Sequence, residues 1–198
     1  MLEPAAVTLG ILAGGRASRL GGRDKAWIER DGQPQVLRHA QALAGVCGAV
    51  LVSANRDLPR YLPHGLRALP DRQPDLGPLG GLHALADACE TPWLFTLPVD
   101  VLHVDAQVLR TLADAGAAEG GQGAVARDDD GLQPLMALYR VDTLRAALAT
   151  ALAEGEYSVK ALQTTLALPA VTFAGLRFGN LNTPADLAAA GCLPADGA

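Results

Sequence analysis

Behind a short apolar run, residues 7–12, the chain enters a fourteen-residue stretch, 12–25, that holds four glycines, three arginines and a lysine. A short apolar run bounded by turn residues is a buried strand. Glycine lets the backbone behind it take positive φ and approach a ligand closely. Successive N–H groups can then converge on an anion, while Arg16, Arg19, Arg23 and Lys25 supply positive charge. Open α/β sheets bind ligands at the carboxyl ends of their strands, so the stretch reads as a phosphate cradle; a loop of solvated arginines is the plainer alternative. Spacing excludes two familiar phosphate loops. Gly22 is followed by Arg-Asp-Lys, so there is no GxxxxGK[ST], and GxGxxG does not occur in this stretch.

The pattern that follows is a βαβ rhythm. Residues 34–46 have helical spacing and 49–53 form another aliphatic run. The alternation continues with a helix at 79–88, a strand at 93–97, a helix at 105–117 and a strand at 123–126. Further on come a strand at 134–139, helices around 143–152 and 158–165, and a last helix capped by Thr183 with Pro184 at its first position. With 49% hydrophobic but only 4% aromatic residues, the core is expected to be aliphatic, with helices packed closely on the sheet. A length of 198 residues without internal repeats or a dividing linker suits one domain. The expected class is α/β, with a mostly parallel central sheet flanked by helices.

Several functions are disfavoured. A formal net charge of −5 leaves no broad basic footprint for nucleic acid or anionic membrane. No apolar run approaches the ~20 residues of a membrane span, and the first fifteen residues lack the basic start of a signal peptide, so a cytoplasmic location is expected. Cys47, Cys89 and Cys192 are odd in number and far apart, and read as small core or surface thiols. Asp128-Asp129-Asp130-Gly131 lacks the spaced ligands of a calcium loop and reads as a hairpin turn. His39, His64, His83 and His103 have no paired metal spacing and read as helix-face or loop residues. No Gly-x-Ser-x-Gly elbow is present.

Other polar residues sit where strands end. Asp100 stands just past the 93–97 run, at the same sheet edge as the glycine stretch, and is the best metal candidate, with a helix-capping role as the alternative. Magnesium takes few carboxylates and completes its shell with substrate phosphates, so one well-placed Asp suffices. Ser53 and Asn55 end the second strand, and Asp71 follows the run 66–69. Asn180 and Asn182 alternate along an extended segment and can share a face, or simply form a turn.

Leu12-Ala13-Gly14-Gly15 through Arg19-Leu20-Gly21-Gly22 and Asp24-Lys25 resembles the signature loop of the nucleotidyltransferases, and within them the molybdenum cofactor guanylyltransferase family. Further matches run nearly end to end: Gly32-Gln33-Pro34, Ala54-Asn55-Arg56, Asp71, Gly77-Pro78-Leu79 with Gly81, Leu97-Pro98-Val99-Asp100 and Asn180-Leu181-Asn182-Thr183-Pro184. The family presents an asparagine where Ser53 stands here, and Val99 and Leu102 depart from its Pro-Cys-Asp-x-Pro segment. The resemblance implies a single-domain, Rossmann-like nucleotidyltransferase fold, with a nucleotide-binding half at about 1–105 and an acceptor-binding half at about 106–198. It also implies transfer of GMP from GTP to molybdenum-molybdopterin, with Mg2+ as cofactor. Leu12, Ala13, Gly14, Gly15, Lys25, Ser53, Asp71 and Asp100 would contact nucleotide, Arg19, Lys25 and Asp100 would be catalytic, and Asn180 and Asn182 would lie on the acceptor side. Other cofactor-biosynthesis proteins and recipient molybdoenzymes are the implied partners. Two alternatives stay open: a related enzyme using CTP or a sugar phosphate, and a non-catalytic nucleotide- or molybdopterin-binding module.

Overall fold

A computed structural model describes residues 2–14, 24–73 and 75–193. Its first strand, β1 (Val7–Leu12), buries Val7, Leu9 and Ile11 on one face, as the period of two along a strand requires. After it come β2 (Glu29–Arg30), β3 (Gln33–Pro34), α1 (Gln35–Leu43), β4 (Ala49–Ser53), β5 (Arg67–Leu69), α2 (Pro78–Ala88) and β6 (Trp93–Pro98). The chain continues through α3 (Ala106–Gly116), β7 (Gly123–Asp128), β8 (Gly131–Arg140), α4 (Val141–Glu154), α5 (Val159–Thr165), β9 (Ala170–Thr172), α6 (Pro184–Ala189) and β10 (Cys192–Leu193). Short 3-10 turns occupy Lys25–Trp27 and Leu58–His64.

The main sheet has seven strands in the order β5-β4-β1-β6-β8-β7-β9. The neighbours β5, β4, β1 and β6 are parallel, β8 runs against both β6 and β7, and β9 is parallel to β7. Strand β1 therefore has β4 on one side and β6 on the other, so successive crossovers leave it in opposite directions. That is the switch point where ligands bind in open α/β sheets. The core lies on both faces. One side packs α1 and α3 on Leu9, Ile11, Phe95 and Leu97; the other packs α2, α4 and α5 on Leu51, Leu94 and Tyr139. Aliphatic side chains dominate both clusters, in keeping with the composition.

Every strand and helix expected from the pattern is present, with bounds shifted by up to three residues. Thr183 caps α6 through a capping box with Asp186, and Pro184 stands in its first turn. Asp129 and Asp130 form the turn between β7 and β8. Cys47 and Cys89 are buried, Cys192 is partly so, and all three are free thiols. Burial pushes the Cys47 thiol up to about 12, as expected for an inert core residue.

Three features were not anticipated. A second, antiparallel sheet joins β10 to β2 and β2 to β3. Strand β9 adds an edge to the main sheet. Strand β8 bulges: Val125 faces Ala137 while Ala126 faces Gln133, leaving 134–136 out of register. Pro134, which donates no ladder hydrogen bond, falls within that bulge. The carbonyls freed there are met by side chains. Thr96 Oγ1 donates to the Leu135 carbonyl (3.0 Å), and Gln163 Nε2 donates to the Pro134 carbonyl (2.7 Å).

Candidate active site

The carboxyl ends of β4, β1 and β6 lie side by side and are stitched together beyond their ladders. The Ala13 amide donates to the Ser53 carbonyl (2.8 Å), and the Val99 amide donates to the Leu12 carbonyl (3.0 Å). Above them opens a cavity of about 840 Å3, lined by Leu12, Ala13, Gly14, Lys25, Ser53, Asp71 and Asp100 among others. The volume suits a small-molecule site of nucleotide size. Gly15 and Arg19, named from the sequence, lie outside the described residues.

One end of the cavity is charged. Lys25 begins a 3-10 turn that Asp24 caps by accepting the Ala26 amide (3.0 Å). Burial raises the Asp24 carboxyl above its ordinary value, more than that amide and the nearby arginines lower it. From this turn Lys25 Nζ reaches Asp100 Oδ2 at 2.6 Å and Asn182 Oδ1 at 2.7 Å. Both members of the ion pair are largely shielded, with 19% and 17% of their side chains exposed. Three distant segments thus converge on one ammonium group. Asn182 sits beside the α6 cap, its own amide bonded to Asp186 (3.0 Å). Asn180 is exposed and its backbone bridges Val101, one residue past Asp100.

The other end is a neutral donor network around a carboxylate. Asp71 Oδ1 accepts from Ser53 Oγ (3.3 Å) and Oδ2 accepts from Asn55 Nδ2 (2.9 Å), while the Asp71 amide donates to Asn55 Oδ1 (2.8 Å). The reciprocal pair fixes the Asn55 amide. The first turn of α2 presses on this network. A methyl group at Gly81 would lie 2.6 Å from Ser53 Oγ and 3.0 Å from a Leu12 methyl, so only glycine permits that approach. Gly77, at φ 57, leads into Pro78 in the first turn, and both line the cavity. The partly positive helix terminus therefore faces the space a ligand would fill.

Among the described residues no group of three or more His, Cys, Asp or Glu side chains could hold a metal alone. Asp100, a single carboxylate on the cavity wall, is the residue that could hold a magnesium ion in the other mode, in which one carboxylate is completed by substrate phosphates and water. The structure brings Lys25 and Asp100 together on one part of the cavity wall and Ser53 and Asp71 on another, while Asn182 meets Lys25 without itself lining the cavity. The sequence reading missed Asn55 as the anchor of Asp71, and Asp24, Arg56 and Leu135 as lining residues. Asn55 and Arg56 carried a signal, since both follow closely on the 49–53 strand; Leu135 carried none, because it lies in the out-of-register stretch 134–136 of β8.

The fold is shared with solved structures of other proteins. A molybdopterin-guanine dinucleotide biosynthesis protein A from Archaeoglobus fulgidus superposes with a TM-score of 0.68 at 20% identity, over 93% of this chain and 96% of that one. A 4-diphosphocytidyl-2C-methyl-D-erythritol synthase from Anaerococcus prevotii gives 0.72 at 10% identity, over 95% of each chain. At such identities the likeness is one of fold. Sequence is more specific: residues 9–168 match the model of the MobA-like NTP transferase domain, and the chain belongs to that family. A molybdenum cofactor guanylyltransferase of Bordetella pertussis is 39% identical over 153 residues, covering 75% of this chain and 78% of that enzyme. The enzyme of that name from Cupriavidus pinatubonensis is 38% identical over 181 residues, 87% and 90% of the two chains.

Proposed function

We propose that the protein transfers GMP from GTP to molybdenum-molybdopterin, forming the guanine dinucleotide cofactor and releasing pyrophosphate. The observation that carries this reading is the Lys25–Asp100–Asn182 cluster at the end of a nucleotide-sized cavity, in a chain whose relatives bear the guanylyltransferase name. Ser53 and Asp71 hold the guanosine end, with Leu12, Ala13, Gly14 and Gly15 as the backbone cradle. Lys25 and Arg19 neutralise the triphosphate, and Asp100 holds Mg2+. The metal's contribution is to neutralise charge between phosphate groups.

In the reaction an oxygen of the acceptor's terminal phosphate attacks the α-phosphorus of GTP, forming a P–O bond. The bond from that phosphorus to the bridging oxygen breaks, and the electron pair departs with pyrophosphate. A phosphate nucleophile is already ionised at neutral pH, so the chain needs no general base. Its residues supply position and charge neutralisation. Asn180 and Asn182 flank the acceptor side, and the acceptor-binding half is residues 106–198, with 1–105 binding nucleotide. The bulged Leu135 wall belongs to that second half. We place the reaction in the cytoplasm, with the product passing to other cofactor-biosynthesis proteins and recipient molybdoenzymes. Among the described residues no helix is long and apolar enough to cross a membrane.

The test is pyrophosphate release with Mg2+ and molybdopterin, comparing GTP with CTP, ATP and UTP. Release should be selective for GTP, and Asp100→Asn should abolish it while leaving the fold intact. Full activity in that variant would remove the metal assignment, and equal use of CTP would remove the guanylyl specificity.

A further inference from the structure

Asp100 lies beyond the last residue of β6, outside the ladder that holds the strand, and its backbone must be fixed by other means. The carbonyls on its two sides point toward α1. His39 Nε2 lies 3.1 Å from the Val99 carbonyl, and Gln35 Nε2 lies 3.4 Å from the Val101 carbonyl. A carbonyl only accepts, so Nε2 of His39 carries the proton and donates. Gln35 and His39 are four residues apart, one helical turn, and so share a face of α1. Both are buried, at 1% and 5% exposure, where an amide or an imidazole is costly unless hydrogen-bonded, and the two carbonyls are the partners of their Nε2 atoms. The carbonyl of Asp100 itself accepts from the Leu181 amide (2.9 Å). Three successive carbonyls are thus held from two directions, while the carboxylate, paired with Lys25, lies on the cavity wall.

We propose that His39 and Gln35 are positioning residues for the reaction, a clamp by which α1 fixes the backbone around Asp100 and so aims its carboxylate at the nucleotide's metal. The proposal rests on the reading of Asp100 as the Mg2+ holder. Neither side chain lines the cavity, so the clamp acts only through the Val99 and Val101 carbonyls. Burial keeps the His39 ring neutral near pH 7, its pKa pulled down to about 4, and a neutral ring can hold the single-donor geometry. His39 Nε2 is the stronger arm by its shorter distance. His39→Leu removes the donor. His39→Gln restores one, because a glutamine places its amide nitrogen close to the former position of Nε2.

The experiment measures binding of GTP with and without Mn2+ by calorimetry, with far-UV circular dichroism and thermal melting as controls on folding. His39→Leu should weaken Mn·GTP binding by about tenfold, the size of effect that supporting residues have at metal sites, while metal-free GTP binds as in the wild type. His39→Gln should recover most of the loss. If His39→Leu does not fold, Gln35→Met carries the same comparison on the Val101 side, with selective loss of Mn·GTP affinity expected. Unchanged Mn·GTP binding in the folded variant overturns the clamp, as does an equal loss with and without metal, which marks a purely structural role. Asp100→Asn is the reference. If it too leaves Mn·GTP binding unchanged, the metal assignment has failed and the clamp falls with it. If Asp100→Asn weakens binding and His39→Leu does not, the clamp alone has failed.

Discussion

Lys25 is the residue whose removal separates binding from architecture most cleanly. Its ammonium joins Asp100, with which it lines one end of the cavity, to Asn182 behind them. Lys25→Ala deletes a charge-assisted contact worth about 1.5–3 kcal/mol. GTP affinity should fall roughly ten- to hundredfold, read by calorimetry, with kcat falling as well. A second expectation concerns acid. Burial lowers the His39 pKa from 6.5 to about 4, Arg30 and Arg38 act in the same direction, and the Val99 hydrogen bond and Asp100 oppose them. Below pH 6.5 the unfolded chain takes up a proton that the folded one refuses. The stability carried by the neutral ring is therefore present above pH 6.5 and lost as pH falls to 4, about 3 kcal/mol in total. Denaturant unfolding of wild type and His39→Gln across pH 7 to 4 should show the wild type's advantage shrinking over that window. Asp128 differs: burial works to raise it, yet the Phe178 amide, the Gln133 amide group and the Asp130 amide together hold it below the ordinary carboxylate range.

The elements that the sequence revealed are those with a clear period and a bounding turn residue. Strands β1, β4 and β6 are largely apolar runs, and the residues at or just past their ends, Ala13, Ser53 and Asp100, proved to line one cavity. What escaped was short or non-local. Strands β2, β3 and β10 have two residues each, too few to show a period. Asp31-Gly32 between β2 and β3, with φ of 54° and 73°, is nonetheless a hairpin dipeptide that could have been read. The contacts Lys25–Asn182 and His39–Val99 span 157 and 60 residues, and no local pattern encodes them. At this scale Gly81 is the sharpest test of how α2 meets β1 and β4. Alanine gains up to ~1 kcal/mol in helix propensity, but its methyl group would stand 2.6 Å from Ser53 Oγ. Overpacking of this kind costs about 1–3 kcal/mol, so the steric term wins. Gly81→Ala should lower the denaturant midpoint, measured by urea titration, and disturb the Ser53–Asp71 bond along with it.

For the whole molecule, a formal charge of −5 means that an anionic substrate is repelled by most of the surface and attracted where the cations gather. Binding should then register as stability. At a GTP concentration one hundred times Kd, with Mg2+ present, linkage contributes about 2.7 kcal/mol. For a chain of 198 residues that is a rise of about 5–10 °C in Tm by calorimetry, larger for GTP than for CTP. The small sheet and the Lys25–Asn182 bond also have a consequence for synthesis. Strand β2 receives its β10 partner, and Lys25 its Asn182 partner, from the far end of the described chain. A nascent polypeptide that has emerged from the ribosome only as far as β9 can already lay down all seven strands of the main sheet, yet lacks the asparagine that meets Lys25. The last segment to be made therefore completes both the core, through the fully buried Phe178 and Leu181, and the contacts of the Lys25 ammonium, so a message cut short at β9 should yield a protein that melts at lower temperature and transfers no nucleotide.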